Sequence, residues 1–174
     1  MKGAEDMNRK KSALPTSAML DDYARLLREE PRITSLPLVV SGSSMNPFLV
    51  NGRDTVHLAR LTRPVRRGDI LLYRRGNGDY VLHRVWKAGP DSCTMVGDNQ
   101  QELEPGIGYD QIAAIVIAAE RKGKRMVPGC FWWEFFEKVW IRLLPLRPAL
   151  WRLYSVFCAA DGRKTASPED MKKE

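Results

Sequence analysis

The spacing of apolar and polar positions changes twice along this chain. Over residues 17–30, Met19, Leu20, Tyr23, Leu26 and Leu27 recur at the interval of one helical face. Ser17 stands where a cap belongs, Asp21 lies one turn from Arg25, and Pro31 stops the run. From Leu36 the pattern shortens to β runs bounded by turn residues. It predicts strands over Leu36–Val40, Thr55–Leu61, Asp69–Arg75, Asp79–Lys87, Ser92–Val96 and Gln111–Ala119. Gly76-Asn77-Gly78-Asp79 supplies a hairpin turn between two of them, because these residues tolerate positive φ. Helices do not alternate with these strands, which argues against a parallel doubly wound sheet. The expected fold is mainly β, a compact antiparallel domain over residues 36–120 preceded by one amphipathic helix.

The second change comes after Arg121-Lys122-Gly123-Lys124-Arg125, where an aromatic tail begins at Phe131 and runs to Cys158. Trp132, Trp133, Trp140 and Trp151 lie in it, so it is no ordinary polar linker. Glu134, Glu137, Lys138 and Arg142 recur at helical spacing as one charged stripe, and the remaining faces are apolar. Pro145 and Pro148 are expected to break the run into two helical pieces. Two readings stand side by side. In one, the tail lies in the plane of an anionic membrane, tryptophans at headgroup depth and Arg142, Arg147 and Arg152 on the lipid. In the other, its apolar face packs on the β domain or on a second chain. The membrane reading carries a consequence: removing 131–157 leaves a folded β domain. Residues 1–15 and 161–174 read as a disordered basic arm and a disordered end.

Composition narrows the function classes. A net charge of +7 suits an anionic partner, acidic lipid or nucleic acid. Cys93, Cys130 and Cys158 are odd in number and lack C-x-x-C spacing, which argues against a disulfide framework and a zinc site. With His57 and His83 as its only histidines, the chain is not expected to bind a metal, and no cofactor is expected. Residues 1–34 are polar, and the apolar run 36–40 is far too short to cross a bilayer. The expected location is therefore peripheral, at the cytoplasmic face of a membrane.

Three short segments carry candidate chemistry. Ser41-Gly42-Ser43-Ser44-Met45-Asn46-Pro47 places serines in a tight Gly/Pro-bounded turn. His83, in Tyr80-Val81-Leu82-His83-Arg84-Val85, sits on a predicted strand 39 residues after Ser44, and Met95-Val96-Gly97-Asp98-Asn99 adds an acidic turn. A nucleophile, a base and an orienting acid can be assembled from these, since a fold and not sequence proximity brings such groups together. In this set the chain resembles the type I signal peptidase family, whose clan also holds the LexA-type self-cleaving repressors. The family's S-M-x-P box is matched by Ser44, Met45 and Pro47, its K/H-R-V box by His83, Arg84 and Val85, and its G-D-N box by Gly97, Asp98 and Asn99. Histidine at position 83 resembles the endoplasmic-reticulum and archaeal type. Relatives usually carry a transmembrane anchor before the serine box, and the residues ahead of Leu36 show none.

The resemblance implies a coiled β fold and a serine endopeptidase that binds an extended leader or signal segment with small side chains before the cut. Ser44 is then the nucleophile and its backbone N–H an oxyanion donor. The position two before it, where some relatives place a second donor, is Gly42. His83 is the base, with an ordinary pKa of about 6.5. The orienting acid is open between Asp98 and Glu104, the latter nearest by spacing to the acid of histidine-type relatives. His57 and Asp69 read as structural. The alternatives are a LexA-like self-cleaving regulator and a catalytically inactive membrane-docking module. The first is disfavoured by His83 and by room for only one helix before Leu36, so nucleic acid is not an expected partner.

Overall fold

Helix and strands follow one another in a computed structural model that describes residues 15–147 and 149. Most of the expected basic arm, residues 150–158 of the tail and the stretch after Asp161 lie outside these residues. Helix α1 spans Ser17–Glu29. Its cap is Thr16, whose hydroxyl accepts from the Met19 N–H, and not the expected Ser17. Leu20, Ala24 and Leu27 are its buried face. The expected Asp21–Arg25 pair does not form: Arg25 bonds Asp22, while Asp21 accepts from the Tyr80 hydroxyl across the fold at 2.8 Å.

Eight strands make one sheet in which every pairing is antiparallel. They are β1 (Leu36–Val39), β2 (Thr55–Ala59), β3 (Ile70–Arg74), β4 (Tyr80–Ala88), β5 (Ser92–Val96), β6 (Glu104–Gly108), β7 (Ile112–Arg121) and β8 (Lys124–Met126). The order is β1-β2-β7-β3-β4-β5-β6, with β8 added to β7. The mainly β, antiparallel architecture expected from the strand pattern is therefore present. Two of the strands lie outside that pattern. β6 reads Glu-Pro-Gly-Ile-Gly, a composition that disfavours strands except at an edge, and it is the edge strand here. β8 closes a hairpin through Lys122 and Gly123, both at positive φ, where the basic run marks only a boundary in the sequence.

Strand β3 is buried on both faces from Ile70 to Tyr73, because the sheet separates two cores. Ile70 and Leu72 face one core with α1, Met45, Phe48 and Leu49; Leu71 and Tyr73 face the other with Val85, Met95 and Ile107.

The tail belongs to the first core. α2 (Phe131–Glu134) continues as a π turn over Phe135–Val139 and a 3₁₀ stretch over Trp140–Leu146 that runs through Pro145 without breaking there. Trp133 and Phe136 are 4% exposed and pack on Phe48, with ring centroids 5.7 and 4.9 Å away. Of the two readings left open, packing on the β domain describes this face, and the expectation that the tail is dispensable for folding gives way. Phe136→Ala should lower stability by about 3–5 kcal/mol, since it opens a cavity beside Phe48 that neighbours refill only in part. Urea unfolding followed by circular dichroism measures the loss; a change within experimental error would show that the tail is not part of this core.

Candidate active site

The three sequence boxes meet around one buried ion pair. Arg84, on β4, donates from Nε and Nη2 to the two carboxylate oxygens of Asp98 at 2.9 and 2.8 Å, and from Nη1 to the Gly68 carbonyl at 3.0 Å. Both side chains are fully buried. The guanidinium also stands 5.1 Å from the ring centre of Phe48, in the turn that follows Ser44. One arginine thus ties the serine turn, the histidine strand and the acidic turn together.

Ser44 reaches the same place through its backbone. Its carbonyl accepts the Asn99 N–H at 2.8 Å and lies against Gly97, where an added Cβ would come within 2.6 Å of that oxygen. In the β4–β5 ladder Arg84, next to His83, pairs with Val96, next to Gly97. The missing side chain at Gly97 therefore lets the serine turn approach the strand that carries the histidine. Met45, Phe48 and Leu49 anchor this turn in the core at 2% exposure or less.

His83 is buried, and alternation along β4 turns its ring to the opposite face from Arg84. There its Nδ1 lies 3.2 Å from the Tyr73 hydroxyl. Tyr73 donates to Glu104 Oε2 at 2.5 Å, and Glu104 is held by Arg75 through bonds of 2.6 and 2.7 Å. Glu104 Oε2 is 3.8 Å from Nδ1, beyond direct hydrogen bonding. Among the described residues, no hydrogen bond links Ser44 to His83.

Burial dominates the electrostatics. It lowers the His83 imidazole to about 4, against the upward pull of Glu104 and Asp98 and with the help of Arg75. The expected value near 6.5 is thus displaced, and the ring is neutral at neutral pH. Glu104 is held below the usual carboxylate range by its bond to Arg75. Burial, then the bond to Glu104, pushes the Tyr73 phenol well above its ordinary value, so it stays protonated.

The two candidate acids thus separate. Asp98 spends both oxygens on Arg84 and bears on His83 only through space, whereas Glu104 reaches His83 through Tyr73. Glu102 is exposed in the preceding loop. His57 pairs with Glu120 across β2 and β7, and Asp69 accepts from Arg63 and the Arg66 N–H, both structural. Sequence reasoning missed Tyr73 and Arg75. The membrane reading places Trp140 and Arg147 at lipid; instead Trp140 Nε1 donates to the Asp98 carbonyl, and Arg147, buried, donates to the carbonyls of Gly97 and Gln100. The signal available for Tyr73 was its inward parity on a strand, which forces a phenol to find a buried partner.

A cleft of about 550 Å³ lies elsewhere, between α1 and the β3–β4 hairpin, with Asp21, Arg28, Arg74 and Tyr80 in its walls. It contains neither Ser44 nor His83, and in its wall Arg74 lies 3.5 Å from Asp21. Comparison with protein-family models, curated proteins and solved structures finds no match to this chain.

Gly97→Ala tests the close approach. Its Cβ would collide with a backbone atom, which cannot swing aside as a side chain can. The expected result is a folded protein, about 1–3 kcal/mol less stable, in which the Asn99 amide loses protection from hydrogen exchange. Unchanged protection at Asn99 would mean that Ser44 and Gly97 are not in contact.

Proposed function

We propose that this protein is a serine endopeptidase of the signal peptidase type, cutting an extended leader or signal segment of a polypeptide. The observation that carries this reading is the convergence on Arg84: Ser44, on a turn fitted against Gly97, is brought beside the strand that holds a neutral, buried His83. On this reading, Ser44 Oγ attacks the scissile carbonyl carbon as its proton passes to His83 Nε2. The carbonyl oxygen takes the negative charge and is stabilised by the Ser44 N–H. The imidazolium returns the proton to the departing amine as the C–N bond breaks. Water then repeats the sequence on the ester, releasing the acid and restoring Ser44.

Among the described residues, no helix is long and apolar enough to cross a membrane. For the peripheral membrane contact, the support is the outer side of the tail. Phe131 is 73% and Trp132 54% exposed while Trp133 and Phe136 are buried, and Lys138 and Arg142 are exposed nearby in sequence. Aromatics and cations so arranged suit an anionic lipid surface. Phe131→Ser combined with Trp132→Ser should reduce co-sedimentation with phosphatidylserine vesicles several-fold and leave the unfolding midpoint in place. Equal sedimentation of variant and wild type would remove this part of the proposal.

The peptidase test is cleavage of extended peptides carrying small residues before the scissile bond, followed by mass spectrometry with vesicles present. Ser44→Ala and His83→Ala should each abolish the cut, because the members of such a site act as a unit; Ser43→Ala and His57→Ala should retain most of it. The sign of the pH dependence follows from the buried ring. Protonation removes the base, so the rate rises with pH through about 4 and is level from pH 6 to 8, below the 6-to-7 limb of a solvated histidine. Activity surviving Ser44→Ala would rule out the proposed nucleophile.

A further inference from the structure

The proton order around His83 is determined by its neighbours. Glu104 is ionised and clamped by two bonds from Arg75, so it can only accept. Tyr73 has a single proton, and its 2.5 Å contact with Glu104 is the shorter and charge-assisted one, against 3.2 Å to the ring. The phenol proton therefore belongs to Glu104. The phenol oxygen then faces His83 as an acceptor, and Nδ1 must carry the ring hydrogen.

We infer that Tyr73 is a positioning residue for His83: it relays the charge of Glu104 to Nδ1–H, fixes the ring tautomer, and keeps Nε2 unprotonated to receive the serine proton. The role of Nε2 rests on the peptidase reading above, but the proton order is independent of it. Neither Asp98 nor a carboxylate in direct contact then orients the histidine. The chain runs His83 Nδ1–H to Tyr73 Oη–H to Glu104 to Arg75, across β4, β3, β6 and the residue just after β3, so the sheet itself holds its geometry. When the ring accepts a proton, Nδ1–H keeps the same acceptor, and the negative charge 3.8 Å away favours the imidazolium. No atom in the relay needs to move.

The sharpest test removes the acceptor at the far end. In Glu104→Ala the Tyr73 hydroxyl loses the carboxylate and turns its proton to Nδ1, so the ring hydrogen shifts to Nε2. Glu104→Gln keeps an acceptor oxygen and should keep the hydrogen on Nδ1. Long-range ¹H–¹⁵N spectra of full-length protein at pH 7 read both ring nitrogens directly and need no substrate. The expected wild-type signature is a protonated Nδ1 and an unprotonated Nε2. Tyr73→Phe should lose that preference, and in the peptide assay lower kcat by roughly 10- to 100-fold with KM little changed. A wild-type ring protonated on Nε2, or an unaltered tautomer in Glu104→Ala, would overturn the relay even if Tyr73→Phe fails to fold. Cleavage by no form of the protein, with the ring signature as expected, would retire the peptidase reading and leave the proton order standing.

Discussion

A guanidinium and a carboxylate, both without solvent, stand at the centre of this structure. Two charges in that position are costly unless geometry and hydrogen bonding are nearly complete. Arg84 and Asp98 meet the condition through two parallel bonds, with a third from Arg84 to the Gly68 carbonyl. Removing one partner of such a pair costs about 3–5 kcal/mol, because the other is left charged and buried. This contact fixes where the turn after β5 must lie relative to β4. Once that turn is fixed, the Asn99 N–H and the bare α-carbon of Gly97 determine where Ser44 can sit.

The tail closes the same turn from outside. Trp140 bonds the Asp98 carbonyl, and Arg147, buried and bonded to no carboxylate among the described residues, satisfies the carbonyls of Gly97, Gln100 and Trp140. Its guanidinium lies 5.1 Å from the Trp140 ring centre, and burial lowers its affinity for the proton. Backbone carbonyls in a turn lack the N–H partners that a ladder supplies, so a multi-donor side chain is an effective substitute. The tail is therefore coupled to the site: whatever shifts Trp133 and Phe136 on Phe48 also bears on the turn that supports Ser44.

Much of this is legible in the chain. Period-two runs reveal the antiparallel strands because their buried and exposed positions alternate, and the acidic turn is tied to the histidine strand by Arg84–Asp98 and to the serine turn by Asn99. What escapes has physical reasons. β6 carries proline and glycine at an edge, where strands are held by a neighbour and not by propensity. The apolar face of the tail is visible in the sequence, but a stripe of apolar residues does not say what covers it, and here Trp133 and Phe136 are covered by Phe48 and not by lipid. Asp98 reads as one of two candidate orienters because sequence shows an acid near a histidine. It does not show that an arginine one residue later on the strand, on the other face, claims it. Tyr73 is invisible as chemistry because an aromatic at an inward strand position looks like core until its hydroxyl finds a carboxylate.

That arrangement also explains why a buried histidine next to an acid stays neutral. Each carboxylate near His83 has its own arginine, Asp98 with Arg84 and Glu104 with Arg75, so little net negative charge remains to hold a proton on the ring. Desolvation then decides, and the imidazole falls to about 4. A direct histidine–carboxylate bond would work against this by favouring the charged ring at rest. Placing a neutral phenol between them keeps the orientation while weakening that pull. The ring is then neutral at rest, and the carboxylate's charge is still near enough to favour the imidazolium when a proton arrives.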